Sequence, residues 1–355
     1  MRKNRNFFWP LILIGTGALI LLANLGVIEF ISLYQLVNLW PLILIGVGIN
    51  LMFGRQNEWL GLALGVTMVA VVVLFLVFAP QLDLPGFYSA TDMQTDNFSE
   101  LMGTTESYQL NVNSDIGHVT VTENSQNSNL VDVEMLYISD SNSHFEVSGT
   151  TQKEITVNLD NNEFWFNPMN WMNNDGTYIN IDLNSSIPAG IQIDHSSGNI
   201  DLQLAKFELV NFTANLSSGT LDVTLPSGSY PILLDISSGN MYVDFSEGMV
   251  LDFDAEISTG GMTLDLSDEL LGSMMLDMST GTIKLNIPES LGVRIEGEIS
   301  TGSVNFPSNF TKVFGNGNLT GEDGAWENEA YDPDGQNLVI TFDISSGNLI
   351  IVIID

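Results

Sequence analysis

The chain has 355 residues, 45% of them hydrophobic and 15% charged, with a formal net charge of −34 and no cysteine. That balance excludes a disordered chain, a nucleic-acid binder, since so acidic a surface repels phosphate, and any chemistry that needs a thiolate or a disulfide.

The charge is unevenly spread. Residues 1–80 carry Arg2, Lys3, Arg5 and Arg55 against Glu29 and Glu58, a net of +2, which leaves −36 on the remainder. The first part is apolar in three runs. Phe7–Leu25 and Trp59–Phe78 are each long enough to cross a bilayer, and Leu39–Phe53 becomes so when extended back to about residue 36. The heptapeptide WPLILIG opens two of them, at Trp9 and again at Trp40. Tryptophan favours the membrane interface, and proline in a first helical turn loses no hydrogen bond. Three helices are expected, at about 7–25, 36–53 and 59–79. The basic residues near membrane ends then fall on one side, which places the N terminus inside and everything after the third helix outside. Val27–Val37 is amphipathic and suits the outer interface. Gly61 and Gly65, four apart, are a candidate helix-packing pair.

A linker is expected over 81–97 and a second domain over 98–355. Its signature is a repeat: DHSSGNI at Asp194, NLSSGTL at Asn215, DISSGNM at Asp235, EISTGGM at Glu256, DMSTGTI at Asp277, EISTGSV at Glu298 and DISSGNL at Asp343. The glycines are Gly198, Gly219, Gly239, Gly260, Gly281, Gly302 and Gly347, spaced 21, 20, 21, 21, 21 and then 45 residues apart. Residues on either side alternate apolar and polar, the period of a strand with one buried face. Ser-Ser/Thr-Gly between them reads as a corner, with glycine supplying positive φ. No unit can bury its apolar face alone, so units must stack and share a core. The fold class expected is therefore membrane-anchored all-β: three N-terminal transmembrane helices, then a parallel β-solenoid of ~21-residue coils. Asp115–Val119 reads as an early corner, and an insertion is expected at about 309–337. The apolar run Leu349–Ile354 is expected to be buried or capped, because an exposed strand of that kind aggregates.

These motifs resemble a known family. The repeated WPLILIG module looks like the LiaI/LiaF-type transmembrane region of bacterial envelope-stress proteins. The Ser-Ser-Gly-Asn repeats are similar to the toast-rack, or adhesin-like, β-repeat domain that often follows it. The resemblance implies a bacterial cytoplasmic membrane location and a role in the response to wall-active agents, in which LiaF-like members restrain a sensor kinase. Such members are credited with four crossings and a cytoplasmic C-terminal domain, whereas three crossings are counted here.

No catalytic motif is present. His118, His144 and His195 have no partner at metal-ligand spacing. The serines are corner residues without a nucleophile elbow, and no phosphate-binding glycine loop occurs. A non-enzymatic protein with no cofactor is expected. The residue two before each Ser-Ser/Thr-Gly is usually acidic, and in stacked coils these form a ladder. Two charges ~4.8 Å apart in water repel by ~0.9 kcal/mol. Three steps from Asp235 to Glu298 therefore cost about 2.6 kcal/mol, which a fold can bear without calcium, although calcium bridging is chemically open to it. The stretch FWFNPMNW offers Phe164, Trp165, Phe166 and Trp171 as a candidate recognition platform. The partners expected are the lipid bilayer and a membrane sensor protein or envelope polymer. The leading reading is sensing, regulating or scaffolding an envelope-stress response by protein contact. The alternative is a surface adhesin or structural envelope component that uses the helices only as an anchor.

Overall fold

In the computed structural model, residues 93–124, 128–138, 141–160, 177–315 and 322–354 are described, together with Thr67, which is helical and exposed. The three expected helices otherwise lie outside the described residues, as do Gly61, Gly65 and the aromatic stretch Phe164–Trp171.

From residue 93 onward the described part is all-β. It comprises β1 (Met93–Leu101), β2 (Ser107–Glu123), β3 (Asn129–Ile138), β4 (Asn142–Gly149), β5 (Gln152–Asp160), β6 (Tyr178–Leu183), β7 (Ala189–Gln203) and β8 (Leu209–Leu225). These are followed by β9 (Pro231–Phe245), β10 (Val250–Asp265), β11 (Leu271–Pro288), β12 (Val293–Asn305), β13 (Phe310–Phe314), β14 (Glu322–Asn328) and β15 (Leu338–Ile354). They form one sheet in the order β1-β3-β6-β2-β7-β8-β9-β10-β11-β15-β12-β14-β13, with β5 paired to both β2 and β4.

From β7 to β12 each repeat unit is one long bent strand; these strands and β15 pair in parallel with one another, and β12 pairs antiparallel with β14 on its other side. The corner glycines are in register, as in Gly198↔Gly219, Gly219↔Gly239 and Gly239↔Gly260. The bend explains how both arms bury their apolar side chains. In β9, Ile232, Leu234 and Ile236 are buried, Ser237 to Asn240 face out, and Met241, Val243 and Phe245 are buried. An unbroken strand would keep even-numbered residues inside. The corner shifts the parity, so the second arm turns its odd-numbered residues to the same core.

Glycine is required at the corner for two reasons. Gly239 has φ of +141°, where a side chain is strained. A Cβ built there would also lie 1.8 Å from the carbonyl oxygen of Gly219 in the neighbouring coil. The spacing of the repeat is thus tied to a column of glycine backbones in contact.

Two departures from simple repetition stand out. First, the coils do not stack in chain order. β15 lies between β11 and β12, with Gly347 aligned to Gly281 on one side and Gly302 on the other. Within its apolar run Leu349 and Ile351 are buried, Ile350, Val352 and Ile353 are half-buried, and Ile354 at the end is exposed, so the run is covered only in part. A reason is visible at Gly297 of β12, which lies opposite Phe342 of β15. A Cβ at Gly297 would fall 1.9 Å from the Phe342 carbonyl oxygen and 2.9 Å from its ring. The glycine leaves room for that strand. Second, β2 pairs its first arm with β5 and its second with β6. These two strands together occupy one coil position. The chain between Asp160 and Tyr178, which includes the aromatic stretch, stands in sequence where the other coils have Ser-Ser-Gly.

Residues 309–337 contain β13 and β14, an antiparallel pair that extends the sheet beyond β12. Phe306 stacks on Trp326 at 4.5 Å between ring centres, with Phe310 5.3 Å from Phe306 and Phe342 6.3 Å from Trp326. The Lys312 ammonium sits 4.8 Å over the Trp326 ring, a cation–π placement. These rings close the core at that end.

Candidate functional site: a carboxylate column along the corners

The residue two before each Ser-Ser/Thr-Gly lies at the end of the first arm, pointing outward. Register puts these residues in one column: Asn113, Asp194, Asn215, Asp235, Glu256, Asp277, Asp343 and Glu298. Asp323 of β14 pairs with Glu298 and prolongs it. Because β15 is inserted, the acidic run from Asp235 to Glu298 takes four steps, and Asp343 stands between Asp277 and Glu298.

The column has two halves of different chemistry. At the β2 end, amides alternate with acids. Asn215 Nδ2 donates to Asp194 Oδ1 at 2.5 Å, Gln192 Nε2 donates to Asp194 Oδ2 at 2.9 Å, and Asn113 Nδ2 donates to Asn158 Oδ1 at 2.8 Å. From Asp235 onward acids follow one another. Partial burial raises the Asp277 carboxyl above the usual range, and the neighbouring Asp343 and Asp254 charges add to this. The second arms repeat the effect: burial first and then Asp201 raise Asp222, while burial and then Asp265 raise Asp244.

Four of the five described basic residues pair with carboxylates outside the column. Lys153 pairs with Glu100 at 2.5 Å, Lys206 with Glu123 at 2.6 Å, Arg294 with Glu327 at 2.6 Å, and Lys312 with Glu322 at 3.1 Å. The folded state therefore binds protons at Asp277 more readily than the unfolded chain does. Repulsion is fully present above the raised pKa and is relieved as pH falls through it. Asp277→Asn is expected to stabilise the fold at pH 7 by about 1–2 kcal/mol, the repulsion from two stacked neighbours in water. The gain should shrink in 1 M salt, where screening is short-ranged. Urea unfolding at low and high salt measures both.

Two clefts open on the described surface. One, of about 370 Å³, overlies the amide-rich end of the column and is lined by Asp115, Asp160, Asp194 and Asp235 among others. The other, of about 610 Å³, is lined by Asp132, Glu134, Asp182, Asn97, Asn180 and Phe98. Both present hydrogen-bond acceptors and repel anions. Among the described residues no three His, Asp or Glu side chains converge to hold a metal ion. The acids lie along a line rather than around a point.

His195 is buried at the first corner, with Nδ1 3.1 Å from the Ser114 carbonyl oxygen and Nε2 3.2 Å from that of Gly117. A neutral ring can donate to only one of them. Burial is the strongest influence and lowers its pKa below 6.5. The folded state therefore favours the neutral ring, and this contribution to stability is present above pH 6.5 and lost as pH falls. His195→Leu, which extends the apolar column of Leu216 and Ile236, should flatten the decline in stability between pH 7 and 5. Thermal melts at a series of pH values read this.

The seven corner glycines lie in one register column, with φ from +137° at Gly198 to +155° at Gly347. Sequence reasoning did not anticipate the Phe306–Trp326–Phe342 cap. Trp326, in an insertion rich in Gly, Asn and Asp, was the available signal, and Gly297 in an arm of β12 was another.

Comparison with known proteins agrees with the resemblance drawn from the repeats. Residues 7–52 match the LiaI-LiaF-like transmembrane region, and residues 89–240 match the N-terminal domain of toast_rack. Among curated proteins no sequence matches. Among solved structures, one described as "a putative cell adhesion protein" from Clostridium sporogenes aligns at 16% identity over 74% of this chain and 100% of that chain, with a TM-score of 0.36. Another, described as "a putative adhesin" from Bacteroides fragilis, aligns at 9% identity over 74% of this chain and 98% of that chain, with a TM-score of 0.34.

Proposed function

We propose that this chain, which carries a LiaI-LiaF-like transmembrane region followed by a toast_rack domain, is a non-enzymatic protein of the bacterial envelope. Three helices hold it in the cytoplasmic membrane with the N terminus inside. The stacked coils form a solenoid on the outer face. There it senses or scaffolds an envelope-stress response by contact with a membrane sensor protein or an envelope polymer.

The observation that carries this reading is the joining of the two matched regions, 7–52 and 89–240, in one chain. The chemistry of the column supports it. Carboxylates in a line offer an extended surface for contact, whereas catalysis needs groups gathered on one reacting atom. So strongly acidic a face is repelled by anionic lipid headgroups, which favours a domain held clear of the bilayer.

Two measurements test the reading. A reporter fused after Asp355 should be active only outside the cytoplasmic membrane; activity in the cytosol overturns the assigned side. Replacing Gly61 and Gly65 with Leu should remove a specific membrane partner in co-purification, because bulky side chains keep helices apart. If nothing is lost, the helices serve only as an anchor.

A further inference from the structure

The placement of β15 carries an inference independent of that function. Adjacent coils in the β8–β11 stack are joined by short turns: Pro226–Tyr230, Ser246–Met249 and Leu266–Leu270. Glu289–Gly292, between β11 and β12, is as short, yet it spans two coil steps, about 9.6 Å at ~4.8 Å per step. β11 and β12 thus hold open a slot one strand wide, and β15 fills it. β15 pairs with β11 from Leu338 to Ile354 and with β12 from Leu338 to Ile350. At the mouth, the Glu289 N–H donates to the Ile354 carbonyl oxygen at 3.2 Å, and the Leu338 N–H donates to that of Gly292 at 3.1 Å.

The slot does not close well on itself. If β12 moved onto β11 with Gly302 beside Gly281, Gly297 would face Leu276 and leave the volume of the Phe342 side chain empty. Cavities of that kind are costly, so the slot favours an inserted strand. The inserted strand is also generic at its corner. Asp343–Asn348 reads DISSGN, identical to Asp235–Asn240 of β9.

β15 is joined to β14 by Glu329–Asn337, nine mostly exposed residues with Pro333 and Gly335. Several hydrogen bonds of this loop are internal: Asn337 accepts from the Asp332 N–H at 3.1 Å, and the Gly335 N–H donates to the Asp332 carbonyl oxygen at 2.9 Å. Such a loop can swing without dismantling the sheet, and nine residues reach up to about 30 Å.

We propose that β15 is an exchangeable strand, and that the slot between β11 and β12 accepts the β15 of a second copy of this chain. The swapped pair keeps every β11–β15 and β15–β12 contact and changes only the path of the hinge, which makes such exchange a low-cost route to a dimer.

The chain has no cysteine, so engineered thiols give a clean test. Met275 and Thr341 are register partners across β11 and β15, and neighbouring strands suit a disulfide. Full-length chains carrying M275C with one tag and T341C with another are co-expressed in the same membrane and oxidised. Exchange predicts a disulfide-linked heterodimer at least several-fold above that of a control pair, T341C with L233C. Leu233 is comparably exposed (47% against 49% for Met275) but lies two coils from the slot. A chain with both M275C and T341C should also form an internal link. An internal link without heterodimer above the control overturns the exchange. Failure of the internal link removes β15 from the slot and overturns the proposal as well.

Discussion

Gly239→Ala should destabilise the β domain by about 4 kcal/mol, from a strained backbone (~1–3 kcal/mol) and overpacking (~1–3 kcal/mol). The added methyl would meet the Gly219 backbone, at 1.8 Å from its carbonyl oxygen. No side chain can move aside, because the obstacle is the neighbouring coil itself. Gly248→Ala is the matched control. Gly248 also has positive φ, +71°, but nothing lies within 4 Å of the added carbon. It should cost only about 1 kcal/mol, the penalty of the left-handed backbone. Pulse proteolysis in urea on the full-length protein ranks the two. Equal losses would show that conformation alone, rather than contact between coils, demands the glycine column.

Phe342→Ala should cost about 3–5 kcal/mol, the usual range for deleting a buried aromatic ring. Phe342 is 2% exposed, faces Gly297 and lies 6.3 Å from Trp326. On the β12 side the residue opposite is a glycine, with no side chain to move into the space. The loss should appear first as hydrogen exchange in β15 and β12, whose pairing it secures, before β7–β10 respond. Phe314→Ala supplies the contrast. Phe314 is 74% exposed at the end of β13, and its removal should change stability by less than about 0.5 kcal/mol. A uniform rise in exchange across the sheet would mean that β15 is not a separately opening element.

Much of this architecture was legible before any coordinates. Alternation around Ser-Ser-Gly marks the strands, and the constant glycine spacing marks stacking, because a backbone column in register tolerates no drift. The carboxylate column follows from that register alone. Even Gly117, outside the seven clear copies, was recognisable as a corner and aligns with Gly198.

What the residues could not disclose is the order of stacking. Every coil presents nearly the same edge, so β12 could follow β11 as readily as β10 follows β9. Local pattern is degenerate among these choices. The fit of Phe342 against Gly297 and a turn at Glu289–Gly292 that spans two steps go with the order adopted. The charges show the same division. Which residues are acidic was plain, but that Asp343 would stand beside Asp277, adding to the effect of burial on its carboxyl, depended on where β15 inserts. A repeat specifies its neighbours' shape, and only packing between distant segments specifies which neighbour arrives.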